Sequence, residues 1–169
     1  MVKQSRCTCS RMRVDMAKLY MLIGVPASGK TTWRKQNPMD AAVLVSSDDI
    51  LDQIADRQRA TYNEVFKDNI KIAVQQADQR ATDAFAAGLD VIWDQTNLTR
   101  KSRASKLAKV PANYEKIAVF FPTPDRAEHD RRLALRPGKT IPWNILNGMI
   151  STIEQPITDE GFDEIRILG

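Results

Sequence analysis

Short, nearly continuous apolar runs alternate along this chain with stretches of helical spacing. Four such runs lie at 19–23, 42–45, 89–93 and 117–121, and the tail at 162–168 reads as a last strand. Continuous apolar runs are typical of strands that are covered on both faces. Strands that alternate with helices predict an α/β fold of three layers. Its parallel sheet has about five strands, right-handed crossovers and helices on both faces.

The helices between these strands are predicted at 30–36, 49–57, 61–88, 100–109, 123–135 and 142–150. In the longest one, Thr61 and Glu64 form a capping box and Gly88 ends the helix. Its apolar residues recur at helical spacing and predict a core-facing stripe, formed by Phe66, Ile70, Ala73, Val74, Ala77, Ala81, Ala84 and Phe85. Thr123 is expected to cap the next-to-last helix, with Pro124 in its first position. The segment 136–141 contains proline and glycine and is expected to be a mobile loop between two short helices.

The clearest chemical signal lies between the first strand and the helix that follows it. Residues 24–31, GVPASGKT, fit the pattern G-x-x-x-x-G-K-[ST] at every fixed position. Glycines at these positions let backbone N–H groups turn inward around phosphate oxygens. Lys30 is expected to reach the β and γ phosphates of ATP, and the Thr31 hydroxyl to hold Mg²⁺. The other expected nucleotide contacts are Gly24, Pro26, Ala27, Ser28, Gly29 and Thr32.

Acidic residues follow two of the predicted strands, at the sheet edge where ligands of such folds bind. Asp94 ends the third strand and is expected to support Mg²⁺ together with Thr31; an aspartate there also suits a turn. Asp48 and Asp49 follow the second strand and point in different directions because they are adjacent. We expect Asp48 to act as a general base, and Asp49 to cap the helix or contact the substrate. Two plain N-cap carboxylates are the alternative.

Basic residues form two clusters. Arg132 and Arg136 are four apart on one helical face and are expected to neutralise the charge of a transferring phosphoryl group; Arg126, Arg131 and Lys139 surround them. The second cluster is expected to hold a nucleic-acid backbone and comprises Arg100, Lys101, Arg103, Lys106 and Lys109. For both clusters a solvated helix face is the alternative. His129 lies among charged residues and is expected to be exposed and without a role.

Length, composition and charge indicate the number of domains and the location of the protein. The chain has 169 residues, of which 43% are hydrophobic and 27% charged, with a formal net charge of +4. We expect a single domain at 16–169, preceded by a disordered basic arm at 1–15 that either helps to hold nucleic acid or is inert. No apolar run approaches the length of a membrane span and no signal peptide is visible, so a cytoplasmic location without a membrane partner is expected. Nothing in the sequence indicates a protein partner.

With these residues in place, the chain resembles the phage polynucleotide 5′-hydroxyl kinases and their small phosphate-loop relatives over roughly 17–150. The similar segments are G-x-P-x-S-G-K-T-T-W at 24–33, S-D-D at 47–49, D-Q-T-N-L at 94–98 and R-x-x-x-R-P-G-K-T-I-P at 132–142, which resembles the family's lid and implies a short helical lid here. The resemblance implies that Asp48 is the general base, that Arg136 assists the transition state with Arg132 as its partner, and that Asn97 lies at the substrate. Leu51 stands where the phage kinases have an arginine that binds the acceptor's 3′ phosphate, and Gln95 separates Asp94 from the threonine.

These observations favour a kinase that transfers the γ-phosphate of ATP to a hydroxyl, most favourably the 5′-hydroxyl end of DNA or RNA. Within this class, the acceptor is alternatively a hydroxymethylated base in DNA, a nucleoside or another small alcohol, which Leu51 favours. A nucleotide-driven switch or motor module is the alternative from a different class.

Overall fold

The computed structural model describes residues 16–136 and 138–168. The basic arm expected at 1–15 lies outside the described residues. Within them, no helix has both the length and the apolar character needed to cross a bilayer.

Five parallel strands form the sheet: β1 (Lys18–Ile23), β2 (Val43–Val45), β3 (Val91–Asp94), β4 (Glu115–Phe120) and β5 (Glu164–Ile167). Their order across the sheet is β2-β3-β1-β4-β5, and each neighbouring pair is parallel. The predicted sheet of about five parallel strands is thereby confirmed. Since β1 lies between β3 and β4, the carboxyl ends of these strands meet at one edge, where loops of different sequence position can form a single site.

The helices are α1 (Lys30–Gln36), α2 (Ser47–Gln58), α3 (Tyr62–Ala86), α4 (Arg100–Leu107), α5 (Arg126–Ala134) and α6 (Trp143–Thr152). A 3₁₀ turn, Thr158–Glu160, precedes β5. The capping box at Thr61 is present as predicted. The predicted cap at Thr123 with Pro124 in the first turn is wrong, because α5 begins at Arg126 and the Asp125 side chain accepts from the Glu128 N–H.

Apolar clusters lie on both faces of the sheet, as expected for three layers. The alanines of α3 account for much of one face: Ala73, Ala77 and Ala81 are at most 1% exposed. The prediction is wrong for two residues of the stripe, since Phe66 is 41% and Val74 is 38% exposed. Val74 follows Ala73 directly and is therefore rotated by about 100° away from the buried face. Phe66 packs on the Tyr62 ring instead of on the sheet.

Candidate active site

The loop between β1 and α1 has the backbone of an anion cradle. Ala27 and Gly29 adopt left-handed φ values of 61° and 114°. A Cβ on Gly24 would lie 2.5 Å from Ser28 Oγ and 3.0 Å from Phe121 Cβ, so the loop packs too closely there for any side chain. The Ser28 hydroxyl oxygen is buried and has no hydrogen-bond partner among the described residues. This cradle fits a phosphate group, which would supply the missing acceptor.

Lys30 opens α1 and folds back over the loop. Its Nζ donates to the carbonyl oxygens of Gly24 at 2.7 Å and Val25 at 2.9 Å. Burial lowers the pKa of Lys30 to about 8, and the negative charges of Asp94 and Asp48 partly oppose that shift. A partly buried ammonium whose hydrogen bonds are to neutral carbonyls is suited to receive an anionic ligand.

Arg34 of α1 connects two of the three acidic residues. Its Nη1 and Nη2 lie 3.1 and 3.4 Å from the Asp49 carboxylate, and its Nε lies 3.1 Å from Asp94 Oδ2. Burial raises the pKa of Asp94, while the nearby Lys30 and Arg34 lower it. A buried carboxylate at the end of β3 and the Thr31 hydroxyl of α1 are oxygen ligands of the kind that Mg²⁺ uses. The residues present therefore fit the implied cation, with Asp94 and Thr31 as its candidate ligands.

Asp48 and Asp49 diverge, as adjacent residues in the first turn of a helix do. The Asp49 N–H bonds to the Ser46 side chain, and its carboxylate faces Arg34. Asp48 is exposed and accepts a hydrogen bond from the Tyr62 hydroxyl at 2.7 Å. Because Arg34 contacts both Asp49 and Asp94, the first turn of α2 lies beside the end of β3 and the helix that follows the phosphate loop.

Two arginines, Arg132 in α5 and Arg136 after it, are the sequence-predicted cations for the phosphate. Arg132 Nη1 donates to the Ser28 carbonyl at 3.3 Å, while its Nε donates to Glu128 at 2.6 Å. Arg136 Nη1 is buried and lacks a hydrogen-bond partner among the described residues, and the positive charge of Arg136 lowers the pKa of Lys30. The Arg132 guanidinium thus lies where it can act on a phosphate held by the loop.

His129 is not exposed, and the sequence expectation for it is wrong. It is 2% exposed, and its Nε2 lies 2.8 Å from the carbonyl oxygen of Pro26 in the phosphate loop. Its spacing to Arg132, three residues on, places both on one face of α5, which ends at Ala134 before Arg136. That spacing could have indicated that His129 is buried, but the charged residues beside it in the sequence suggested an exposed side chain.

The predicted nucleic-acid cluster is largely dispersed. Arg103 is fully buried and bonds to Glu160 and to three backbone carbonyls, so the expectation that it contacts the substrate is wrong. Asn97 is 2% exposed and donates to the Leu22 carbonyl at 2.7 Å, which makes it a brace between β1 and the loop after β3 instead of a substrate contact. Arg100 lies close to Glu154 on the surface, and Lys101 is exposed.

Lys106 was predicted as part of the nucleic-acid cluster, but its side chain contacts residues at and after the end of β3. Its Nζ contacts Gln95 Oε1 and Asn97 Oδ1 and lies 5.5 Å from the centre of the Trp93 ring. Gln95 in turn donates to Ser47 Oγ at 3.4 Å. The residue that separates Asp94 from the threonine thus links the end of β3 to the first turn of α2.

The fold and this site together define a protein of the phosphate-loop kinase type. The family described as AAA domain matches residues 19–156, and the chain belongs to that family. No curated protein matches the chain at a significant level.

Solved structures of the same fold include a chain of an RNA repair complex and two kinases. A chain of the Pnkp1/Rnl/Hen1 RNA repair complex is 22% identical with a TM-score of 0.63; the match covers 88% of this chain and only 47% of that one. A putative kinase from Chloroflexus aurantiacus is 14% identical with a TM-score of 0.62, and the match covers 90% and 85% of the two chains. A sugar kinase from Janibacter is 20% identical with a TM-score of 0.60, and the match covers 90% and 84%. These likenesses establish the fold and leave the acceptor open.

Proposed function

We propose that this chain is an ATP-dependent kinase that transfers the γ-phosphate to a hydroxyl of a nucleic acid, at the 5′-hydroxyl end of DNA or RNA. One observation carries the proposal: Arg34 joins the first turn of α2, where Asp48 lies, to Asp94 at the end of β3, and Arg132 Nη1 donates to the Ser28 carbonyl in the phosphate loop between them. A base and a cation that converge on a phosphate cradle are the groups that phosphoryl transfer to an alcohol needs.

In this proposal ATP supplies the phosphoryl group, and Thr31 and Asp94 would hold a Mg²⁺ that would offset the phosphate charge. Backbone N–H groups of the phosphate loop bind the β and γ oxygens together with Lys30, except at Pro26, which has no N–H, and at Gly24, which donates to the Thr96 carbonyl. Asp48 takes the proton of the acceptor hydroxyl as its oxygen bonds to the γ-phosphorus and the bond to ADP breaks. Arg132 and Arg136 offset the charge that spreads over the equatorial oxygens. Little covalent chemistry falls to the protein, so rate depends on positioning and charge.

Two observations favour a nucleic acid as the acceptor. The formal net charge is +4, which favours a polyanionic partner. One chain of similar fold belongs to an RNA repair complex. The present protein spans less than half of that chain. A role in nucleic-acid repair is therefore part of the proposal only.

A small alcohol or nucleoside is the second candidate, and a specific observation favours it. Leu51, at the position where phage kinases have their phosphate-binding arginine, is fully buried in the core of the protein. The acceptor therefore lacks that particular anchor here. Sugar kinases share this fold, which is consistent with a smaller substrate.

An acceptor screen with labelled ATP tests both candidates. The acceptors are DNA and RNA oligonucleotides with 5′-hydroxyl ends, duplex DNA containing hydroxymethylated bases, free nucleosides, and gluconate. Labelled oligonucleotide ends support the proposal, whereas label only in nucleosides or gluconate refutes the nucleic-acid assignment. ATP hydrolysis stimulated by DNA without a phosphorylated product indicates a motor or switch instead.

The role of Asp48 is tested by Asp48→Asn, with Asp56→Asn as the control on the exposed side of the same helix. Asp48→Asn is expected to keep ATP binding and to lose about 10²-fold or more of its transfer rate, because the amide cannot take the proton. Asp56→Asn is expected to transfer at the wild-type rate. Unchanged turnover in Asp48→Asn removes Asp48 from the mechanism.

A further inference from the structure

The first residue of α3 contacts the proposed base. The Tyr62 hydroxyl donates to Asp48 Oδ1 at 2.7 Å, across the turn that joins α2 to α3. This is the only hydrogen bond to the Asp48 carboxylate among the residues that the structure describes. Asp48 is otherwise exposed at its helix terminus, so one phenol restrains the orientation of its carboxylate.

The phenol is itself held in place by its neighbours. The Lys139 ammonium lies 4.5 Å from the centre of the Tyr62 ring on one side and is paired with Asp52 of α2. The Phe66 ring lies 5.6 Å away, centre to centre, one turn further along α3. The next residue, Asn63, bonds through its backbone and side chain to the carbonyls of Gly138 and Thr140. A side chain packed in this way presents its hydroxyl in one direction, as a supporting group of an active site must.

The charges around this hydroxyl keep it protonated. Burial raises the pKa of Tyr62, and the negative charges of Asp48 and Asp52 raise it further, while Arg136 opposes them. A phenol in this setting remains a donor and does not compete with the acceptor alcohol for ionisation. Because it occupies Oδ1, the second oxygen of Asp48 is left to take the acceptor's proton.

We propose that Tyr62 is a positioning residue for phosphoryl transfer, whose hydroxyl orients the Asp48 carboxylate so that Oδ2 meets the acceptor hydroxyl. The inference rests on the proposed function, since it requires Asp48 to act as the base. It adds a residue that the loop, strand-end and lid motifs do not contain. Tyr62 acts through Asp48 and need not touch either substrate.

The test is Tyr62→Phe, which removes the hydroxyl and retains the ring that Lys139 and Phe66 contact. We expect kcat to fall about tenfold, the loss of one hydrogen bond to a charged group, with the KM for ATP and the melting temperature close to wild type. Tyr20→Phe is the matched control, because its hydroxyl makes no hydrogen bond to the described residues and lies on β1 away from Asp48. It is expected to retain the wild-type kcat.

A double-mutant cycle separates positioning from a general structural effect. If Tyr62 acts through Asp48, adding Tyr62→Phe to Asp48→Asn causes no further loss of kcat, since the interacting carboxylate is already gone. An unchanged kcat in the single variant, or a full additional loss in the double variant, overturns the inference. If Asp48→Asn is inactive while Tyr62→Phe is normal, only this inference fails. A wild-type chain that phosphorylates no alcohol, or a fully active Asp48→Asn, overturns the proposed function and this inference together.

Discussion

Arg103 connects three segments of the chain, and its replacement by methionine tests how the sheet edge is held. The guanidinium is completely buried. Its Nε and Nη2 bond to the two oxygens of Glu160 at 2.6 and 2.7 Å. Its Nη1 donates to the carbonyls of Asn97, Leu98 and Glu154 at 3.0, 3.0 and 2.9 Å. These contacts join the loop after β3 to the segment that leads into β5.

The expected cost follows from what the substitution leaves behind. Methionine fills much of the same volume but leaves the Glu160 carboxylate and three carbonyls without their donor. Removing one partner of a buried ion pair costs about 3–5 kcal/mol, because the other charge remains buried. With a urea slope of about 2 kcal/mol per molar, the unfolding midpoint falls by roughly 2 M. Changing Glu160 to glutamine at the same time is expected to recover part of this loss, since no unpaired charge then remains.

Urea unfolding followed by tryptophan fluorescence measures the effect. Lys101→Met is the control on the same helix, where an exposed lysine is expected to change stability by less than about 0.5 kcal/mol. A stability of Arg103→Met within about 1 kcal/mol of wild type contradicts the structural role. If the variant is stable and instead binds oligonucleotides more weakly, the original expectation that Arg103 holds nucleic acid is correct.

Two further predictions concern charged groups near the site. Burial lowers the pKa of Lys106 from 10.5 to about 8. Between these two pH values the unfolded chain binds the Lys106 proton and the folded chain does not. The free energy of unfolding therefore rises with pH across this range, by up to roughly 3 kcal/mol. Unfolding at pH 7.5 to 10 is expected to show this rise in wild type and a smaller one in Lys106→Met; equal slopes contradict it. Arg136→Ala is expected to lower kcat by about 10²-fold or more while ATP affinity changes little, because the guanidinium acts on charge that develops in the transition state. Weakened ATP binding with an unchanged maximal rate would show instead that Arg136 contributes to binding of ATP in the ground state.

Much of the architecture was predictable from local patterns. The apolar runs, the glycine-lysine loop and the capping box each depend on residues within a few positions of one another. The divergence of Asp48 and Asp49 was also predictable, because adjacent residues on a helix face different directions. The roles assigned to Asp48, Arg132 and Arg136 stay predictions until activity is measured.

Burial of charged and polar groups depended instead on distant partners. Arg103 is buried because Glu160, 57 residues further on, neutralises it, and His129 is buried because its ring reaches the Pro26 carbonyl 103 residues earlier. Neither pairing has a local signature, so both side chains resemble solvated helix residues in the sequence. Hydrophobic period and turn chemistry are local properties, so the residues alone were enough to predict which elements form and where the phosphate loop lies. Which basic residues lie beside that loop and which hold the protein together followed only from the packing of distant segments, because the cost of burying a charge depends on the partners that other segments bring to it.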